Sequence, residues 1–107
     1  MSYEYLKNKK ILLVDDETSL LEMVNSILRE DGYRQIRTAE TVAGALAVCR
    51  EWEPDFAILD VMLPDGDGFS LLEKMKKIRD IPALFLTARG EDEDKFRGLG
   101  YKLCIKE

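Results

Sequence analysis

The chain has 107 residues, 46% hydrophobic and 35% charged, with a formal net charge of −5 and no histidine. That is the make-up of one ordinary globular domain, not of a disordered chain or a helical membrane protein. The missing histidine excludes Ser-His-Asp and Cys-His catalysis, imidazole metal ligands and a phosphohistidine carrier, and the negative charge argues against this domain gripping nucleic acid itself.

Residues 10–15 predict a first strand, because ILLV is a continuous apolar run of the kind buried on both faces of a sheet. A helix follows, with Leu20, Met23, Val24, Ile27 and Leu28 on one face. Ser19 and Glu22 have capping-box spacing, and Gly32 is the stop. Residues 34–39 read as a weaker second strand. Thr41 is the predicted cap of a second helix, with Val42, Ala45, Leu46 and Cys49 inward and Pro54 past its end. Residues 56–60 form the third strand. LPDGDG is then a glycine-rich turn into a third helix, with Leu71, Leu72, Met75 and Ile78 inward. A fourth strand over 81–87, a short acidic helix over 91–97 and a last strand over 101–106 follow.

Alternation of strand and helix predicts an α/β fold: a parallel sheet with helices on both faces, joined by right-handed crossovers. Residues 1–107 read as a single domain. The N-terminus MSYEYLKNKK has no apolar core of the signal-peptide kind, so the expected location is cytoplasmic and no membrane contact is expected. Cys49 and Cys104 are too few and too scattered for a disulfide framework or a zinc site.

Three strands end on polar residues: Asp15 and Asp16, then Asp60, then Thr87. A lone aspartate after a strand is usually a turn or a helix cap. An Asp-Asp pair at one strand end and an aspartate at another is a different pattern. In open parallel sheets the carboxyl ends of the strands form the ligand crevice, so these residues are expected to converge there. Clustered carboxylates need a counter-cation. Without histidine or paired thiolates the expected ion is hard and oxygen-loving, and Mg2+ fits, typically held by one or two carboxylates with water and substrate phosphate. A metal and a phosphate beside a carboxylate suggest that Asp60 attacks a phosphoryl group, while Thr87 and Lys106 supply a hydroxyl and an ammonium to the transferring oxygens.

These residues make the chain resemble a response-regulator receiver domain, the CheY-like module of two-component signalling. ILLVDDE, AILDVMLPDGDGF and IPALFLTA match that family's motifs in type, order and spacing, from about residue 10 to 99. LPDGDGF is most similar to regulators that carry a C-terminal winged-helix DNA-binding domain. The resemblance implies a doubly wound, flavodoxin-like five-stranded parallel sheet of order 2-1-3-4-5. It also implies that Asp60 is the phosphoryl acceptor, and that Asp15 and Asp16 hold Mg2+ with Asp60 and the backbone carbonyl of Met62. Thr87 would be the switch hydroxyl, with Ala88 leaving it room. The donor would be a phosphohistidine on a sensor histidine kinase, and the resemblance implies that the switched output is transcription.

The tail departs from the family pattern. Where that family continues through GADDY to a lysine followed by proline, this sequence reads GLGYKLCIKE. Lys106 is the first candidate for the phosphate-binding lysine although its spacing from Thr87 is short, and Lys102 is the fallback. Leu103 occupies the usual place of the switch aromatic, and the fifth helix is expected to be missing. A bare sheet face would follow, and with it a homodimer, an exchange of a strand or helix, or poor solubility. The runner-up function is therefore a receiver-fold interaction module that no longer signals by phosphorylation. A magnesium phosphatase with an aspartyl nucleophile fits less well, since such enzymes want an Asp-x-Asp pair and Asp60 is followed by Val61 and Met62. The domain is expected to be a regulatory phospho-acceptor rather than an enzyme.

Overall fold

The computed structural model describes residues 7–88 and 101–106. In chain order the elements are β1 (Lys10–Val14), α1 (Thr18–Glu30), β2 (Gln35–Ala39), α2 (Val42–Trp52), β3 (Phe56–Asp60), β4 (Met62–Leu63), β5 (Gly66–Asp67), α3 (Gly68–Ile78), β6 (Ala83–Ala88) and β7 (Tyr101–Lys106). The main sheet has the order β2-β1-β3-β6-β7, which is the expected 2-1-3-4-5 once the small β4–β5 hairpin is set aside. The expected helix over 91–97 lies outside the described residues.

β1, β2, β3 and β6 run parallel, whereas β7 pairs antiparallel with β6, from Ala83 opposite Lys106 to Ala88 opposite Tyr101. An all-parallel sheet is corrected at this one edge, and connection length gives a physical reason. The parallel strands are joined through residues 15–34, 40–55 and 61–82, lengths of 20, 16 and 22. Residues 89–100 number only 12. A parallel return must carry the chain back along the whole sheet and needs a dozen or more residues, usually with a helix among them, so 12 stands at the lower limit, while an antiparallel neighbour needs only a turn.

The interior strands are apolar because both faces are covered. Leu12, Val14, Ala57, Leu59 and Phe85 point to one face, where α2 and α3 add Ala45, Cys49, Leu71 and Met75. Ile11, Leu13, Ile58 and Leu86 point to the other, against Leu20 and Leu21 of α1. Burying such a side chain stabilises the fold by about 1.5–3 kcal/mol. On the α1 side the described residues also line an apolar cavity of about 540 Å³, with Ile11, Leu28, Tyr33, Phe56, Ile58 and Leu84 in its wall.

Helix ends follow local chemistry. The Thr41 hydroxyl accepts from the Gly44 amide at 2.9 Å, as its position before α2 predicts. Gly32 stops α1 at φ +103°, with its own amide on the Arg29 carbonyl and the Tyr33 amide on the Leu28 carbonyl, the paired bonds of a Schellman turn. The capping box at Ser19 and Glu22 does not form. α1 begins at Thr18, and its N-cap is Glu17, two residues before Ser19, with no side-chain cap hydrogen bond. Two residues expected inward are instead exposed, Ile27 at 56% and Ile78 at 38%, and Leu21 takes the buried place on α1. α2 ends with Glu53 in the left-handed region at φ 54°, just before the buried Pro54. Trp52, the last residue of α2, lies at the amino end of the sheet. The Lys10 and Arg37 cations sit 5.9 and 4.9 Å from its ring centre, and Lys10 also donates to its carbonyl at 3.0 Å.

Candidate metal centre

Strand register brings the acids together. Val14 lies opposite Leu59, and Asp60 opposite Leu86, so Asp15, Asp60 and Thr87 follow one another across the carboxyl edge of the sheet. The Asp15 amide donates to the Ala39 carbonyl at 3.1 Å, and the Val61 amide to the Leu86 carbonyl at 3.3 Å, extending the ladders up to the acids. Asp15, Asp16 and Asp60 each offer an oxygen within 4.8 Å of the others. Asp15 and Asp60 are buried, at 1% and 7% exposure, and Asp16 is open to solvent.

The electrostatic cost is legible atom by atom. Asp15 Oδ1 accepts the Glu17 amide at 2.8 Å, while Oδ2 is buried without a hydrogen-bond partner among the described residues. Burial, and then the charges of Asp60, Asp16 and Glu17, push the Asp15 carboxyl up to about 7 against the Glu17 amide. Burial also raises Asp60, reinforced by Asp16 and Glu17 and opposed by the Met62 and Val61 amides. Met62 N–H approaches Asp60 Oδ1 at 3.5 Å. Two carboxylates within 4.8 Å repel by about 3 kcal/mol or more at an effective dielectric near 20. A divalent cation would remove that repulsion and give Asp15 Oδ2 a partner. The donor set, all oxygen and mostly anionic, fits Mg2+.

The loop after Asp60 is built around this point. A Cβ on Gly68 would lie 2.3 Å from the Asp60 carbonyl oxygen, so only glycine fits there, and its amide donates to the Val61 carbonyl at 2.7 Å. Met62 opens the β4–β5 hairpin and is 76% exposed. Sequence reasoning passed over Gly68 and Glu17. The glycine-rich LPDGDG was the available signal for the first, and adjacency to Asp15 and Asp16 for the second.

Thr87 is the β6 residue directly after Leu86, beside the acids in register. Lys106 does not share that edge. Its register partner is Ala83, at the far end of β6, and Lys102 is the residue opposite Thr87. This placement follows from the reversed direction of β7: a parallel last strand would end near the acids, whereas this one starts there.

Comparison with known proteins places the chain. The response regulator receiver domain pattern matches residues 11–103. Among curated relatives, the regulatory protein VanRc of Enterococcus gallinarum is 41% identical over 92 residues, covering 86% of this chain and 39% of its own length. The phosphate regulon transcriptional regulatory protein PhoB of Escherichia coli is 42% identical over 94 residues, 85% of this chain and 41% of its own length. The chain thus spans about two fifths of the relatives it matches. Among solved structures, the non-phosphorylated receiver domain of HemR from Leptospira biflexa superposes with a TM-score of 0.69 at 38% identity, covering 80% of this chain and 69% of that one. A CheY-like receiver domain from Methanospirillum hungatei gives 0.72 at 34% identity, with coverage of 80% and 69%. The chain belongs to the response regulator receiver domain family, the phosphorylation-based signalling module of two-component systems.

Proposed function

We propose that Asp60 is the phosphoryl acceptor of this receiver domain. Asp15, Asp16, Asp60 and the Met62 backbone carbonyl would hold Mg2+, which neutralises the phosphoryl oxygens during transfer. The donor would be a phosphohistidine on a sensor histidine kinase. An Asp60 carboxylate oxygen attacks phosphorus, the phosphorus–nitrogen bond breaks, and the imidazole leaves with the electron pair. The product is an acyl phosphate on Asp60. Thr87, next in register, would supply a hydroxyl to that phosphoryl group. Lys102 replaces Lys106 as the proposed ammonium, because Lys102 lies opposite Thr87.

The observation that carries this reading is the three-carboxylate cluster, two of its members buried, with Asp15 Oδ2 unpartnered among the described residues. A structural role would have neutralised that oxygen. We place the domain in the cytoplasm, with transcription as the output of the whole regulator, by likeness to VanRc and PhoB. Among the described residues no helix is long and apolar enough to cross a membrane. Self-association through the apolar cavity beside α1 is a further proposal, and a monodisperse monomer in light scattering at high concentration rules it out.

The test is intact mass after incubation with Mg2+ and acetyl phosphate. The chain gains one phosphoryl group, Asp60→Asn gains none, and chelation of Mg2+ prevents the gain. A wild-type chain that binds Mg2+ yet never gains mass would instead support the interaction-module reading. The observation favouring that alternative is the tail GLGYKLCIKE, which departs from the family pattern.

A further inference from the structure

The loop between Asp60 and α3 is tied to a helix far from it in sequence. Asp65, between β4 and β5, points its carboxylate at the first turn of α2. Oδ1 accepts the Val42 amide at 2.7 Å, and Oδ2 accepts the Ala43 amide at 3.1 Å. These are two of the amides that a helix start leaves without intrahelical partners. A helix usually satisfies them from its own preceding residues, and Thr41 does so for Gly44. Here the carboxylate comes from 23 residues downstream of Val42.

The same hairpin is fitted closely at two further places. A Cβ on Gly66 would lie 3.1 Å from Val42 Cγ2, so the backbone of β5 rests on the side chain that opens α2. Gly68 packs under the Asp60 carbonyl, as described above. Between these points lies Met62, whose amide faces Asp60 Oδ1 and whose carbonyl is a proposed metal ligand. The hairpin is short, two residues in each strand, so its own ladder is weak. Its position must come from what it is fastened to.

We infer that Asp65 is a positioning residue for the acceptor site: by bridging the Val42 and Ala43 amides it fastens the β4–β5 hairpin to α2 and so fixes the Met62 peptide beside Asp60. The consequence for Mg2+ and phosphoryl transfer rests on the function proposed above, whereas the fastening itself does not. Outer partners of a metal site set ligand geometry, and losing one commonly costs about tenfold or more in metal affinity. The two bonds also lower the Asp65 carboxyl below its ordinary range, with the Val42 amide the main cause, so the carboxylate is in its accepting form at neutral pH.

The control is Thr41→Ala. It removes another bond from the start of the same helix without touching the hairpin. Asp65→Ala and Thr41→Ala are compared with wild type in three measurements: thermal unfolding, amide hydrogen exchange by NMR without metal, and calorimetric Mg2+ titration. Both variants are expected to lower Tm. Asp65→Ala alone speeds exchange at Met62 and Gly68, and it weakens Mg2+ binding by about tenfold. Unchanged exchange at Met62 and Gly68 in Asp65→Ala, or equal loss of Mg2+ affinity in Thr41→Ala, overturns the inference. If the wild-type chain takes up no Mg2+, the metal reading fails, and the exchange data still decide whether Asp65 fastens the hairpin.

Discussion

β3 is bracketed by two aspartates, Asp55 before it and Asp60 at its end, and their surroundings are opposite. Asp55 Oδ2 accepts the Lys10 amide at 3.0 Å, and Oδ1 accepts from Arg79 at 3.1 Å. The Lys10 amide, with Lys9 and Arg79, outweighs burial and holds the Asp55 carboxyl below the ordinary range. Asp60, five residues on, is raised by burial among other acids. One strand thus carries a carboxylate whose charge is answered within the fold and another whose charge is left for something outside it. On the function proposed above, the difference separates a group that holds the structure together from one kept ready for a ligand. It is visible only through partners, since the residue type is the same.

The contrast can be broken most strongly at the carboxyl edge. Asp15→Asn keeps an acceptor for the Glu17 amide but removes a metal charge, so Mg2+ affinity should fall on the order of a hundredfold in calorimetry. The same change relieves buried repulsion, and the metal-free variant should gain about 1–2 kcal/mol at neutral pH in urea unfolding.

Asp55→Asn should do the reverse. It is expected to cost about 1–2 kcal/mol of stability and leave Mg2+ affinity unchanged, because it loses charge-assisted bonds to Lys10 and Arg79 and nothing at the metal centre. A loss of Mg2+ affinity in this variant would erase the distinction between the two ends.

The pH dependence sharpens the same comparison. Asp15 has a folded pKa of about 7 against an ordinary 3.8, so the native state retains its proton longer than the unfolded chain. Its contribution is fully present below 3.8 and is lost as pH rises to about 7. Raised Asp60 acts in the same sense. Lowered Asp55 acts oppositely: its contribution is present above 3.8 and is lost as pH falls through its depressed folded value. Chemical unfolding of the metal-free protein across this range should therefore show stability declining from mildly acidic to neutral pH, a decline that Asp15→Asn flattens. Mg2+ binding should release protons near neutrality, by an amount read from the buffer dependence of its heat.

The smallest effect concerns Glu53, which shares Arg79 with Asp55 through an exposed 4.0 Å contact. Such a pair contributes little, while its left-handed backbone is costly for any residue but glycine. Glu53→Gly should leave stability level or raise it by up to about 1 kcal/mol, read from urea midpoints. A clear loss would show that Arg79 is neutralised by both acids.

Much of this was legible in the chain. Apolar runs ending on Asp15, Asp16 and Asp60 were enough to place the strands and the acid cluster, because burial on two faces leaves a simple signature. Thr41 and Gly32 were readable because capping is local. The direction of β7 was not, since it depends on the length of the connection over 89–100 rather than on the pattern of 101–106, and it carries Lys106 to the end of β6 away from the acids. Ile27 and Ile78 carry helical periodicity yet lie at the margins of the buried faces. Asp65 reads as an ordinary turn residue in LPDGDG, and its bond to α2 is tertiary. No local rule announces it.

Trp52 has a practical consequence. The chain's single tryptophan sits at the amino end of the sheet between two cations, across the fold from the acids. Its emission should follow denaturation and stay silent when a cation or phosphoryl group arrives. An optical assay of signalling would need a second fluorophore near the hairpin, and native emission would then serve as an internal reference for intact protein.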